Sequence, residues 1–411
     1  MFLNEYVGLT ETASLKRIEF VYLAIFLVAL VAIFALNYVA GGTITSPQNL
    51  AIDLASPPDS PQDWLVQNWP AVRYRALFRM IVRGSWSLFF APNDAGAFYA
   101  LFVGWSFLFF YGAVVAYYFF LRVLEFDRRA SFIGGLLFLT TPPVLLAYKY
   151  PVYTREDVLA YLLVLLGLIA IFKSKPLLVC LISIAAALTR ETTMIVPLAY
   201  FVATEEAGRK KFFVCAPPIL AYIALRLLWG NATHDPFESP GLTLEKPFET
   251  LAFLFCVFGA LWLPYWLGLA QRWRNRDLPN LGWRVLTSAG PIVFVAVMVA
   301  ALVLSRAREA RITFILFPWA ITFALDWLRN HSGYLVARAR RFSFWIFALA
   351  ILGTLSAIVL YFHLTNPELM RYYLVDFKNG YWLVVGTLHL SITLAIFLPL
   401  LRQQIASERT R

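Results

Sequence analysis

Apolar runs about the length of a membrane span recur along this chain from residue 20 to residue 400. A helix needs about 20 apolar residues to cross the ~30 Å hydrocarbon core of a bilayer, whereas barrel strands would give short alternating segments that the sequence lacks. The pattern predicts an all-α fold, a polytopic transmembrane helical bundle of about twelve spans. The predicted spans are 20–40, 95–121, 130–147, 156–172, 176–189, 192–204, 212–229, 248–270, 283–305, 312–328, 342–362 and 381–400.

The basic residues between these runs predict the orientation. With the N-terminus in the cytoplasm, every predicted inside connection carries Lys or Arg, as the positive-inside rule requires, and the C-terminus is cytoplasmic too. This orientation needs the stretch 176–204 to cross twice, because a single crossing would move all later Arg-rich connections outside. The basic residues predicted to lie inside are Lys16, Arg17, Arg128, Arg129, Lys173, Lys175, Arg209, Lys210, Lys211, Arg272, Arg274, Arg276, Arg338, Arg340, Arg341, Arg402, Arg409 and Arg411.

Composition agrees with a membrane protein. The chain is 60% hydrophobic and only 14% charged, whereas soluble domains carry about a quarter charged residues. A net charge of +11 would suggest nucleic acid in a soluble protein, but these charges form no single patch. We therefore interpret them as topology signals and lipid contacts, and expect no nucleic-acid partner. No soluble domain interrupts the pattern, which predicts one integral membrane domain over 1–411.

The residues predict no metal site. Cys180, Cys215 and Cys256 are scattered through apolar segments without metal or disulfide spacing, and the four histidines form no zinc pattern. No Walker-type phosphate loop is present, so direct use of a nucleoside triphosphate is not expected.

The first extracytoplasmic loop, 41–94, has an acidic, turn-rich first part. Its carboxylates are Asp53, Asp59 and Asp63, among several Pro and Ser residues that favour irregular chain. These acids are interpreted either as solvated loop residues or as containing one catalytic base at the membrane surface.

The second part of that loop, about 71–90, predicts a basic amphipathic helix in the membrane interface. Arg75, Arg79 and Arg83 recur at every fourth position, with apolar residues on the other side. The arginines serve either as ordinary interfacial anchors or as phosphate ligands, since guanidinium groups match phosphate oxygens.

Three further charged groups fall on the same predicted outer face. Lys149 and Arg155 precede Asp157, which begins the fourth span and could simply cap its helix. The pair Arg190-Glu191 interrupts a long apolar stretch, either neutralising itself at a turn or lining an aqueous cavity. The segment Arg308-Glu309-Ala310-Arg311 separates two apolar runs, where a charge at membrane depth costs at least ~2.5 kcal/mol.

Four short sequence motifs, which follow one another along the chain, resemble motifs of bacterial membrane glycosyltransferases of the GT-C type. We call these four motifs phrases. The resemblance covers roughly 41–320. It rests on Pro70, Tyr74, Arg75 and Leu77 in the first loop, on Arg155-Glu156-Asp157, on Leu188-Thr189-Arg190-Glu191-Thr192, and on Arg308-Glu309-Ala310-Arg311 followed by Pro318.

The resemblance implies a multi-pass enzyme of the bacterial cytoplasmic membrane. It would move a hexosyl or pentosyl group from a polyprenyl-phosphate carrier to a cell-surface glycan or lipid acceptor outside the membrane. Asp53, Asp59 or Asp63 would be the general base, and Asp157 would orient the acceptor or associate with a metal. Whether a divalent ion such as Mg²⁺ or Mn²⁺ takes part stays open. Glu191 and Glu309 would orient neighbouring arginines. The phosphate candidates are Arg75, Lys149, Arg155, Arg190, Arg308 and Arg311.

The chain departs from the family in one respect. Many members carry a compact acidic signature soon after the first span, whereas Asp53, Asp59 and Asp63 are scattered through the loop. The identity of the base, and whether the chain is catalytically active, therefore stay open.

Two other interpretations compete with an enzyme. About twelve spans with both ends inside is also a common layout for a transporter or lipid flippase, although no paired halves with matching broken helices are visible. A structural or assembly subunit without catalysis is the third.

Overall fold

A computed structural model describes residues 13–39, 76–90, 95–145, 157–229, 254–274, 278, 280–303 and 310–340, together with short pieces within 345–353 and residues 389–394. Every regular element in these ranges is helical. We number the α-helices α1 Ala13–Val39, α2 Ala76–Phe89, α3 Ala95–Val123, α4 Arg128–Leu139, α5 Pro142–Leu145, α6 Asp157–Phe172, α7 Pro176–Ala187, α8 Ile195–Ala203, α9 Gly208–Trp229, α10 Trp262–Arg274, α11 Leu281–Val303, α12 Ala310–Phe314, α13 Phe317–Asn330 and α14 Ser332–Ala339.

Several helices are long and apolar enough to cross a membrane. Within the described residues four qualify by length and hydropathy, Ile18–Leu36, Gly96–Val123, Leu254–Arg274 and Leu281–Leu302. They coincide with four of the predicted spans, so the described part of the chain is all-helical and contains the long apolar helices of a membrane protein. The predicted spans 342–362 and 381–400 lie mostly outside the described residues, so the count of about twelve remains a prediction.

Two predicted spans are broken where the sequence carries proline. The predicted helix 130–147 ends at Leu139, and Pro142 starts the short α5. The predicted helix 312–328 breaks before Pro318, which occupies the first turn of α13. Proline lacks an amide hydrogen and clashes with the preceding turn, so it starts helices more readily than it continues them.

The stretch 176–204 folds as two short helices, α7 and α8, and the chain reverses direction between them. Pro176, at the start of α7, lines a common groove with Ala207 and Arg209, which flank the start of α9. The chain therefore leaves from and returns to the same end of the bundle, and the two membrane crossings of this stretch stay a prediction. With 12 residues, α7 is about 18 Å long at 1.5 Å per residue, shorter than the ~30 Å hydrocarbon core.

Ion pairs tie together connections predicted to be cytoplasmic. Arg128 pairs with Glu19, Arg284 pairs with Glu205, and Arg329 approaches Asp127 at 3.5 Å. Arg272 donates two hydrogen bonds to Asp326, at 2.8 and 2.7 Å, and lies 4.1 Å from the ring centroid of Trp283. All these groups gather at the end of the bundle where the predicted topology places them.

Aromatic side chains fill the centre of the bundle. Phe138 of α4 contacts Tyr117 of α3 and both Phe314 and Phe317, with ring centroids 4.9 to 5.7 Å apart. Phe138, Tyr117, Phe314 and Phe317 are fully buried. Edge-to-face ring pairs add about 0.5–1.5 kcal/mol each beyond the burial of apolar area. This cluster fixes α12 and α13 against α3 and α4, which positions the outer ends of these helices.

Candidate functional site

An ion pair between Asp157 and Arg190 is completely enclosed by the protein. Asp157 is the first residue of α6 and is 0% exposed, while Arg190 lies in the reversal between α7 and α8 and is 2% exposed. The two residues are 33 positions apart in sequence, and the fold brings their charged groups into direct contact. Two of the four phrases that carry the family resemblance therefore meet in space.

Local sequence explains why the chain turns at Arg190. Thr189 bonds back through its hydroxyl to the carbonyl of Ala185 at 2.9 Å, which competes with continuation of α7. Arg190 itself is extended, with φ −164° and ψ 141°, and its carbonyl accepts a 2.6 Å hydrogen bond from the hydroxyl of Thr193. A short 3-10 helix, Glu191–Met194, then leads into α8. The threonines thus place one extended arginine between two helices.

Neither charge of this pair would be stable without its partner in this buried position. Removing an ion from water costs several kcal/mol even after the protein relaxes, and the attraction of a close partner offsets that cost. The carboxylate of Asp157 also lies at the N-terminus of α6, where the helix dipole favours negative charge. In the predicted topology α7 starts at the inner interface, and because it is only about 18 Å long the pair is expected to lie below the outer membrane surface.

The helix of the first loop begins beside this pair. The amide of Leu77, in the first turn of α2, donates a 3.1 Å hydrogen bond to the carbonyl of Leu188. Along its length α2 packs on α3 through Phe78, which is fully buried and lies 5.5 Å from the ring of Phe102. The helix α2 lies within the segment 71–90 where a helix was predicted, of which residues 71–75 lie outside the described residues, and its first turn is anchored at the reversal that carries Arg190. Its place in the membrane interface stays a prediction.

The segment that contains Arg311 lies at the same end of the bundle. Phe314, one turn after Arg311 in α12, contacts the ring of Tyr161 at 5.2 Å. Tyr161 is one turn after Asp157 in α6. This ring contact places α12 beside the first turns of α6, at the end of the bundle away from the ion pairs that are predicted to be cytoplasmic.

The structure covers only some of the predicted site residues. Asp157 and Arg190 are joined, Glu191 follows in the 3-10 turn and is half-buried, and Arg311 lies within α12. The remaining predicted residues, for which the predictions stand as made, lie outside the described ranges: Asp53, Asp59, Asp63, Arg75, Lys149, Arg155, Arg308 and Glu309.

A divalent metal does not fit the described part of this site. Asp157 is the one predicted metal-associated carboxylate within it, and its oxygens face the guanidinium of Arg190. A second cation would have to displace that arginine. The described residues hold no group of three or more His, Cys, Asp or Glu side chains that could bind an ion.

The partly buried ion pair of Arg272 and Asp326, at the opposite end, was not predicted from the sequence. Arg272 had been interpreted only as a topology signal, and Asp326 had not been singled out. The available signal was one carboxylate within the otherwise apolar span 312–328. An acid in such a run is expected to have a basic partner on a neighbouring helix.

Comparison with models of known families finds no match, and searches of curated proteins and of solved structures find none either. The functional assignment therefore rests on the residues and their geometry.

Proposed function

We propose that this chain is an integral membrane glycosyltransferase. It would move a sugar from a polyprenyl-phosphate carrier to a glycan or lipid acceptor at the extracytoplasmic face. The observation that carries the proposal is the buried pair of Asp157 and Arg190, set against the first turn of the loop helix α2.

Arg190 supplies the cation that such a reaction needs. When the bond between the sugar's anomeric carbon and the carrier phosphate breaks, both bonding electrons leave with the phosphate oxygen. A preorganised cation next to that oxygen stabilises the developing charge, and such groups contribute about 10²–10³-fold in rate. Asp157 holds the guanidinium of Arg190 in place. A phosphate that arrives from the α2 side would contact the same guanidinium.

The proton of the acceptor must go to a different group. The acceptor hydroxyl attacks the anomeric carbon and gives its proton to a base within hydrogen-bond reach. Asp157 is already engaged with Arg190, so the base is assigned to the first-loop acids Asp53, Asp59 and Asp63. The loop that carries these acids leads directly into α2, whose first turn lies at the pair.

The proposal is tested by transfer from a defined polyprenyl-phospho-sugar in proteoliposomes. Alanine at the true base, or at Asp157, should abolish transfer, while Glu205→Gln on the opposite face should leave it unchanged. Wild-type rates in all four variants, Asp53→Ala, Asp59→Ala, Asp63→Ala and Asp157→Ala, would overturn the assignment.

The same pair also favours a second candidate, a transporter or lipid flippase, because ionisable residues within membrane spans commonly line substrate paths. The two functions separate in one preparation. Uptake or lipid translocation by vesicles that show no glycosyl transfer would select the transporter.

A further inference from the structure

A groove at the predicted cytoplasmic end has the make-up of a lipid site. One wall of the groove is formed by the start of α7, with Pro176, Leu177 and Cys180. The other wall is formed by the residue before α9 and the first turns of that helix, with Ala207, Arg209, Lys210, Phe213 and Val214. Its volume is about 510 Å³, the size of a small-molecule pocket. It lies at the opposite end of α7 from Arg190 and is separate from the site described above.

The groove is apolar inside and basic at its mouth. Leu177 is 72% exposed and Phe213 is 61% exposed, so a large apolar surface faces outward here. Arg209 and Lys210 border this surface, and both are exposed. An apolar slot beneath a basic rim matches an acyl chain joined to an anionic headgroup.

The positive charge at the mouth exceeds the negative charge beside it. Glu206 is paired with Lys210 at 2.6 Å, and Glu205 is paired with Arg284. Arg209 lies 5.7 Å from the ring centroid of Phe213, and Lys211 lies 5.7 Å from that of Phe201. With both acids engaged by other bases, Arg209 carries a positive charge at the mouth of the groove, and Lys211, directed toward Phe201, adds a second positive charge to the same turn of α9.

We propose that this groove binds an anionic phospholipid of the inner leaflet, with its phosphate on Arg209 and one acyl chain between α7 and α9. Basic pockets between helices on the cytoplasmic side are suited to acidic headgroups. Binding would brace the short hairpin of α7 and α8, whose other end carries Arg190.

The test is native mass spectrometry of the purified full-length chain in detergent. It is titrated with phosphatidylglycerol and with phosphatidylcholine of the same acyl chains. The wild-type protein should prefer phosphatidylglycerol, and Arg209→Gln should weaken that binding about fivefold, the effect of one basic residue at an anionic surface. Arg274→Gln, an exposed arginine at the same end, is the matched control and should change nothing.

A second variant tests the groove without touching a charge. Ala207→Trp fills the slot and should weaken phosphatidylglycerol binding while the unfolding temperature stays at the wild-type value. Equal binding of the two lipids by the wild-type protein would overturn the proposal. So would phosphatidylglycerol binding that neither variant changes. A third contrary outcome is inorganic phosphate competing at the lipid's own concentration, which would indicate a free-phosphate site.

Discussion

The ion pair of Asp157 and Arg190 makes a quantitative prediction that separates its structural role from its chemical one. Both side chains are at most 2% exposed, so removing one partner leaves an uncompensated charge inside the bundle. Such changes cost about 3–5 kcal/mol, whereas replacing both partners by apolar residues of similar size is often neutral or stabilising. We therefore expect Asp157→Leu and Arg190→Met to destabilise the protein strongly, and the double variant to recover most of that loss.

The assay is thermal unfolding in detergent, followed by a thiol-reactive dye. Cys215 and Cys256 are 8% and 3% exposed, so dye labelling of these two thiols reports unfolding, while the partly exposed Cys180 sets the baseline. With about 2 °C per kcal/mol for a large chain, each single variant should lower the unfolding temperature by about 6 °C or more. The double variant should lose much less in unfolding temperature than the sum of the losses of the two single variants.

The exposed pair of Arg284 and Glu205 is the control. These side chains are 48% and 86% exposed, so substitution of either with Gln should leave the unfolding temperature unchanged. If the two losses at Asp157 and Arg190 simply add in the double variant, the residues are not energetically coupled and the buried pair is not what supports the reversal.

Other expectations follow from the packing and from the cytoplasmic end. A methyl group on Gly268 would overlap the carbonyl oxygen of Phe323, so Gly268→Ala should cost about 1–3 kcal/mol in the same assay, while Gly104→Ala, with open space around it, should be neutral. Arg272→Lys loses the two-pronged contact with Asp326 and should cost about 2 kcal/mol, against no change for Arg274→Lys. Burial lowers the pKa of Lys173 to about 8, so the folded state disfavours protonation of this amine relative to the unfolded state. The free energy of unfolding should therefore rise with pH between about pH 8 and 10.5. An impermeant amine reagent, read out by peptide mass spectrometry, should label Lys173 from the cytoplasmic side with a midpoint near pH 8. Labelling of Lys173 only from the extracytoplasmic side would show that the true topology is the reverse of the predicted one.

The sequence predicted the helices well because their signal is local. Runs of apolar residues and the basic residues between them were enough to place α1, α3, α10 and α11, and the charge rule also required two crossings over 176–204. The breaks before Pro142 and Pro318 were missed, although proline is itself a local signal, because hydropathy alone does not register a missing amide hydrogen.

The contacts within the site could be predicted only in part. Sequence pointed to Asp157 and Arg190 separately, one as an acid and one as a phosphate ligand, but their direct contact depends on how α6 packs beside the α7 reversal. The hydrogen bond from Leu77 to Leu188 likewise depends on tertiary packing, since it joins residues 111 positions apart. Long-range pairings of this kind leave no periodic trace in a single sequence.

The central claim is tested most directly with the double variant Asp157→Leu/Arg190→Met. It is assayed beside the wild-type protein for sugar transfer from a polyprenyl-phospho-sugar in proteoliposomes. The wild-type protein should transfer the sugar, and the folded double variant should be at least about 100-fold slower, the effect of losing one preorganised cation at the leaving phosphate. Equal transfer by both proteins, or none by the wild-type protein with any such donor, would contradict a glycosyltransferase built on this pair.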